Sequence, residues 1–149
     1  MAGAFDSGLL GVKVSTALDY SSASTVLAGE AIDMSGFQGC LIIVKMAAIE
    51  ATAVTSIKAQ TDTTSAFGSA QDIEGSSMTI AADDDNQIFI LDVKNPPERY
   101  LRVYLTRGTA AAACDGIYVQ YGPDTMPQTN DVTDEVTTET HIYGALGTA

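Results

Sequence analysis

Residues of the types that perform acid–base, nucleophilic or metal chemistry are scattered along this 149-residue chain. The one histidine is His141, in a polar C-terminal stretch. A histidine base needs an orienting partner and a surrounding pocket. A polar tail supplies neither, so a solvated or interface histidine is expected. Asp83-Asp84-Asp85-Asn86 offers the oxygen atoms that calcium takes, yet lacks the alternating acids and distal glutamate of an EF-hand loop. A solvated polar turn is the expectation there. Asp62, Asp72 and Glu74 fall in expected loops, and nothing in their spacing brings two together as a glycosidase acid–base pair. Cys40 and Cys114 are expected as two free thiols in a reducing compartment rather than a disulfide. With a single histidine they cannot complete a structural zinc site. Nucleophile-elbow, Walker A and dinucleotide-binding glycine patterns are missing from the sequence. The expectation is a non-enzymatic chain with no catalytic residue, no metal and no cofactor.

One constellation could bind rather than react. Tyr100, Arg102, Tyr104 and Arg107 form an aromatic–basic stripe of the sort that stacks on bases or sugars and forks onto oxygens. The ordinary alternative is an outer sheet face on which arginine stems cover tyrosine rings while their heads meet carboxylates. Charge favours the ordinary alternative: 19 acidic residues face 7 basic ones, a formal net charge of −12. Such a surface repels phosphate backbones and anionic headgroups, so direct partnership with nucleic acid or membrane is not expected. A third use is a protein interface, where tyrosine and arginine are enriched.

These side chains need strands to carry them. Helical spacing is weak throughout, and β-branched residues are frequent. Short strands are expected at residues 11–15 and 24–28. Leu41 to Ile49 has apolar residues on both faces, as a central strand would. Residues 54–61 put Ile57, Ala59 and Thr61 on one face with Lys58 and Gln60 on the other. The stretch 61–69 is turn-rich, and residues 78–81 form a brief strand. In residues 87–93, Phe89, Leu91 and Val93 alternate with Ile88 and Ile90. Asn95-Pro96-Pro97 interrupts the pattern, since proline donates no ladder bond. Tyr100 to Thr106 then turns Leu101, Val103 and Leu105 inward. An alanine-rich turn from Gly108 to Gly116 leads to Ile117, Val119 and Tyr121, which alternate with Tyr118 and Gln120. The last two strands are expected to form an antiparallel hairpin. The fold class is all-β, an antiparallel sandwich of jelly-roll-like form over residues 1–123.

Composition changes after Gly122-Pro123. Residues 124–149 are polar, with isolated Val132, Val136, Ile142, Tyr143 and Leu146, and cannot build a core. As a free tail they would be disordered, and when ordered they would form an extended arm lying on a neighbour, those five residues and His141 joining Tyr100, Arg102, Tyr104 and Arg107 as interface candidates. Residues 1–10 have no basic region or long apolar stretch, so no secretory signal is expected. The most apolar segment, residues 40–49, holds Lys45 and falls short of the roughly 20 residues a spanning helix requires.

Several segments together resemble the capsid decoration (cement) proteins of tailed bacteriophages and related small β-rich virion proteins. These are Ser35-Gly36-Phe37-Gln38-Gly39-Cys40 before an apolar strand, the segment Thr61 to Phe67, the run Pro97 to Arg107, Ile117 to Gly122, and the polar tail closing on Gly147-Thr148-Ala149. The resemblance implies a jelly-roll-like knob on the outside of the virion capsid, homo-oligomeric (a homotrimer), cementing subunits of the major capsid protein. Two alternatives stand beside it. One is another phage structural part, in head completion, the tail tube or a fibre. The other is a carbohydrate-binding sandwich using Tyr100, Arg102 and Tyr104.

Overall fold

The computed structural model describes residues 11–126, 128–130 and 136–137. Among these the secondary structure is all strand, in ten segments: β1 (Val12–Ala23), β2 (Leu27–Ala28), β3 (Ile32–Asp33), β4 (Phe37–Ile49), β5 (Val54–Asp62), β6 (Gln71–Asp72), β7 (Met78–Ile80), β8 (Ile88–Lys94), β9 (Tyr100–Gly108) and β10 (Ala112–Pro123). They make two antiparallel sheets, a four-stranded one in the order β1-β10-β4-β8 and a six-stranded one built on β2-β9-β5-β6. In the second, β3 also pairs with β9 and β7 with β5. The all-β antiparallel sandwich expected from alternation is what the chain forms.

The core lies between the sheets. From the four-stranded sheet Cys40, Ile42, Val44 and Met46 of β4 face Ile57 and Ala59 of β5 and Leu101, Val103 and Leu105 of β9, all fully buried. Each such aliphatic side chain contributes about 1.5–3 kcal/mol relative to exposure. The alternations read in β5, β8 and β9 hold: Ile57 and Ala59, then Leu91 and Val93, then Leu101, Val103 and Leu105 point inward.

Three expectations are corrected. The last two long strands are not a hairpin. β9 pairs with β5 in one sheet and β10 with β1 and β4 in the other, so residues 109–111 cross the sandwich. The alanine-rich segment is largely strand: Ala112, Ala113 and Cys114 open β10 and are buried. Small side chains suit a corner where the layers close together. Finally, β1 runs on to Ala23, well past residue 15, while β2 keeps only Leu27 and Ala28 of the strand expected at 24–28.

Within β10, Tyr118 and Gln120 are the buried pair, while Ile117 is 43% exposed. Both polar tips find partners. The Tyr118 hydroxyl accepts from the Val103 amide at 2.8 Å and donates to the Glu30 carbonyl at 2.9 Å. The Gln120 amide donates to the Asp33 carbonyl at 2.8 Å. Satisfied tips remove the cost of burying them. The Tyr118 hydroxyl sits where β2 and β3 part along β9; there the Gly29 amide donates to the Val103 carbonyl at 2.8 Å. A Cβ on Gly29 would lie 2.6 Å from a Val103 methyl and 2.9 Å from that hydroxyl, so only glycine fits.

After β10, Asn130 is buried, and its side-chain oxygen accepts from the Val14 amide of β1 at 2.6 Å. This part of the C-terminal segment is seated on its own sandwich.

Candidate functional site

The two outward sheet faces carry the groups able to meet a partner, and they differ in chemistry. On the six-stranded sheet, β9 and β5 run side by side with Gln60 opposite Arg102 and Lys58 opposite Tyr104. β6 brings Asp72 beside Gln60. The Arg102 guanidinium donates twice to Gln60 Oε1, at 3.0 and 2.8 Å. Gln60 Nε2 donates to Asp72 at 2.8 Å, and Lys58 Nζ reaches the same carboxylate at 2.6 Å. Lys58, then Gln60, hold the Asp72 carboxyl below its ordinary value of 3.8. Above this network the Arg102 guanidinium stacks on the Phe67 ring, 4.2 Å from its centroid, and lies 5.7 Å from that of Tyr104. Lys58 stands 5.3 Å from the Tyr104 centroid.

Phe67 was not read as part of this face. It is delivered by a loop with a defined build. The Asp62 carboxylate accepts from the Thr64 amide at 3.0 Å and the Ser69 amide at 2.8 Å, bonds that lower its pKa. Between them Phe67 adopts φ 50°, a conformation costing a non-glycine residue on the order of 1–3 kcal/mol. The clue in the sequence was Asp62 followed by Thr63-Thr64-Ser65, residues that cap turns through their side chains. The face is internally paired, as the ordinary alternative has it, but with the heads rather than the stems over the rings, and with Arg102 on the Gln60 amide oxygen instead of a carboxylate. Tyr100 lies at its end under Arg99, 5.3 Å away, and Arg99 pairs with Asp33 at 2.7 Å.

Arg107 does not belong to the stripe. One residue out of step with Arg102 and Tyr104, it points inward and is 4% exposed. Its guanidinium donates to the carbonyls of Thr25 (2.7 Å), Ala112 (3.0 Å) and Ser21 (3.2 Å) and to the Ser21 hydroxyl (3.2 Å). It ties the ends of β1 and β10 together and is removed from the interface candidates. Val136 is half-buried. Val132, His141, Ile142, Tyr143 and Leu146 lie outside the described residues.

The outer face of the four-stranded sheet carries an apolar row between charged positions. Register aligns Thr16, Ile117, Ile43 and Ile90 in one row across β1, β10, β4 and β8, and Val14, Val119, Leu41 and Asp92 in the next. Ile88 is 60% exposed and Ile90 54%. A shallow depression of about 460 Å³ opens among Tyr20, Ile43, Ile88 and Ile117, with Lys45 and Asp115 beside them. Scattered apolar residues on a surface are ordinary, whereas a contiguous row of them makes a candidate interaction surface. The sequence did show the signal, as isoleucine or valine on both parities of β4 and β8. At the face's end Tyr121 crosses over Gly39 and donates to Asp92 at 2.6 Å, a bond that raises its pKa to about 12.

The acidic turn is structural. Asp84 accepts from the Ala81 amide at 2.8 Å and Gln87 Nε2 at 2.9 Å, and Asp85 accepts from the Ile49 amide at 2.7 Å. Among the described residues no three acidic, histidine or cysteine side chains gather as a metal site. Cys40 and Cys114 are free and buried, and burial pushes both thiols up, Cys40 to about 12. They sit on neighbouring strands at different heights, Cys40 opposite Gln120 and Cys114 opposite Met46. No helix among the described residues is long and apolar enough to cross a membrane. No protein-family model matches the chain, and no curated protein matches it.

Proposed function

We propose that this chain is a non-enzymatic structural protein of a tailed-phage virion, a decoration protein that sits on the outside of the capsid and cements neighbouring major capsid subunits. The observation that carries the reading is the exposed apolar row Ile117–Ile43–Ile90 with Ile88 beside it, on a sheet face with no covering layer among the described residues. A standard protein interface buries roughly 1,600 Å² in total, and a sheet face supplies such an area without any cleft. The opposite face, with its charges already paired, suits the side turned to solvent. Net charge of −12 keeps that side soluble. The segments that resemble decoration proteins point the same way. So does the strand order: with β2/β3 and β6/β7 each taken as one strand, the sheets read β1-β10-β4-β8 and β2/3-β9-β5-β6/7. That order supports jelly-roll wiring, a fold frequent in capsid proteins. Tail residues 131–149 would add contacts beyond the sheet.

The test is binding to expanded shells assembled from the major capsid protein of the same virion. Saturable binding at a copy number that scales with the whole lattice is expected. Ile43→Lys with Ile117→Lys should weaken it at least about tenfold, a loss of roughly 1.4 kcal/mol or more. Tyr104→Ala should leave it within about twofold. A handful of copies per virion would assign the chain to head completion or the tail instead. Bare shells, or glycan binding lost in Tyr104→Ala, would end the proposal.

A further inference from the structure

The four-stranded sheet has two edges, and the chain treats them differently. In β1 the Val14 amide points away from the sheet and is met by Asn130. The other edge is β8. The Gln87 carbonyl accepts from Met46, and the Asn95 amide donates to Gln38. Both pairs share the register in which Ile90 faces Ile43 and Asp92 faces Leu41. Hydrogen-bonded pairs alternate along an antiparallel ladder. The main-chain groups of Phe89, Leu91 and Val93 therefore turn toward β4, and those of Ile88, Ile90, Asp92 and Lys94 turn away from it. Among the described residues no hydrogen bond reaches those four from the outer side. An edge of this kind is a template for another strand unless charge, proline or a bulge blocks it. Of the four outward residues here, two are the exposed isoleucines, and the two charged ones, Asp92 and Lys94, are opposite in sign.

We propose that β8 is a homotypic docking edge: two copies of the chain pair antiparallel along Ile88–Lys94, joining their four-stranded sheets into one continuous sheet. The strand is complementary to itself. Pairing centred on Leu91 engages the whole segment, with Ile88 opposite Lys94 of the second copy and Ile90 opposite Asp92, each exchanging two main-chain bonds. On the inner side Leu91 meets its counterpart and half-buried Phe89 meets Val93. No like charges stand opposite one another. Centring the pair on Asp92 would set two carboxylates face to face, which is destabilising. The join also runs the apolar face on from one copy to the next. It is independent of lattice attachment, since it requires only a second copy.

Each copy carries a net charge of −12, so the association opposes repulsion that salt screens within about 10 Å at 0.1 M and 3 Å at 1 M. Sedimentation of the full chain from 0.05 to 1 M NaCl should show a monomer–dimer equilibrium with dimer rising as salt rises. Ile90→Pro removes an amide that bonds nothing in its own sheet and should give a folded monomer at every salt concentration. Residue-resolved amide exchange on the unaltered protein provides a readout that does not depend on the variant folding. The amides of Ile88, Ile90, Asp92 and Lys94 should slow about tenfold or more as concentration crosses the dimerisation range, while those of Phe89, Leu91 and Val93 stay slow throughout. Fast exchange at the four positions at all concentrations, whether the protein sediments as monomer, dimer or trimer, overturns the proposal. So does slow exchange at those positions in a monomer. Lys94→Pro removes an outward amide that lies outside the apolar row, and shell binding retained by that variant would leave the decoration reading standing whichever way the edge proves.

Discussion

The outer faces of the two sheets are built from the same kind of strand and end in opposite states. On the six-stranded sheet every charged group near the centre is already engaged: Arg102 on Gln60 and Phe67, Lys58 on Asp72 and Tyr104. On the four-stranded sheet exposed Ile117 and Ile90 stand in a row with half-buried Ile43, and among the described residues no layer covers them. A face whose heads and stems satisfy one another gains little from a partner. A face of exposed aliphatic carbon gains roughly 25 cal/mol for each Å² a partner covers. Aromatic and basic residues therefore located the conspicuous surface, while the plain one has more to gain from docking.

The contrast can be broken or sharpened, and Arg107 offers the largest effect. Arg107→Ala should cost about 3 kcal/mol in a denaturant unfolding curve, because a buried guanidinium is lost and the carbonyls of Ala112, Ser21 and Thr25 lose their donor. A cost like that of a surface residue would return Arg107 to the outer stripe. Next comes pH, which should act on the two sheets from opposite ends. Cys40 on β4 is pushed from 9.0 to about 12 and Tyr121 on β10 from 10.0 to about 12. Their stabilisation is full below the unfolded values, fades once the unfolded state gives up these protons, and is gone above about 12. Each such group then removes about 1.4 kcal/mol per pH unit, so urea midpoints should fall steadily above pH 9. Asp33 and Asp72 on the six-stranded sheet, and Asp62 at its loop, titrate below 3.8. Their contribution is present above that value and is lost as acid takes pH through the folded values. Unfolding midpoints flat from pH 10 to 12 would contradict the first half, and midpoints unchanged below pH 3.8 the second.

Smaller effects separate the faces directly. Arg102→Ala should cost about 1–2 kcal/mol, from lost stacking on Phe67 and the stranded Gln60 carbonyl. Ile117→Thr on the apolar face should change stability by no more than about 0.5 kcal/mol. If the isoleucine substitution proved the costlier of the two, the apolar face would be part of the fold rather than a surface held ready for docking.

The sequence made some of this legible. Alternation in β5 and β9 marked the inward residues, because the aliphatic residues there keep mostly to one parity, whereas β8 has isoleucines on its outward parity too. β10 defeated the same rule. With Ile117, Val119 and Tyr121 on one parity and Tyr118 and Gln120 on the other, hydrophobicity alone favours the wrong face. The polar tips are buried because carbonyls of Glu30 and Asp33, distant in sequence, wait for them. The expected hairpin failed for a related reason. Adjacent strands with a short glycine-bounded link can close a hairpin or cross between layers, and small buried residues such as Ala112 and Ala113 decide for crossing only once the corner is known. Arg107 was misplaced by one residue of parity, which a stripe read by residue type rather than by strict alternation overlooks.

The hydroxyl of Tyr118 has a consequence for how the layers are aligned. It reaches out of one sheet to fill a vacant rung in the ladder of the other, between the amide of Val103 and the carbonyl of Glu30. Sliding either layer by the two-residue step that preserves inside and outside would carry that oxygen away and bring Gly116 or Gln120 to the rung. The tyrosine thus works as an indexing pin: it fixes the offset between two sheets whose greasy inner surfaces would otherwise tolerate several.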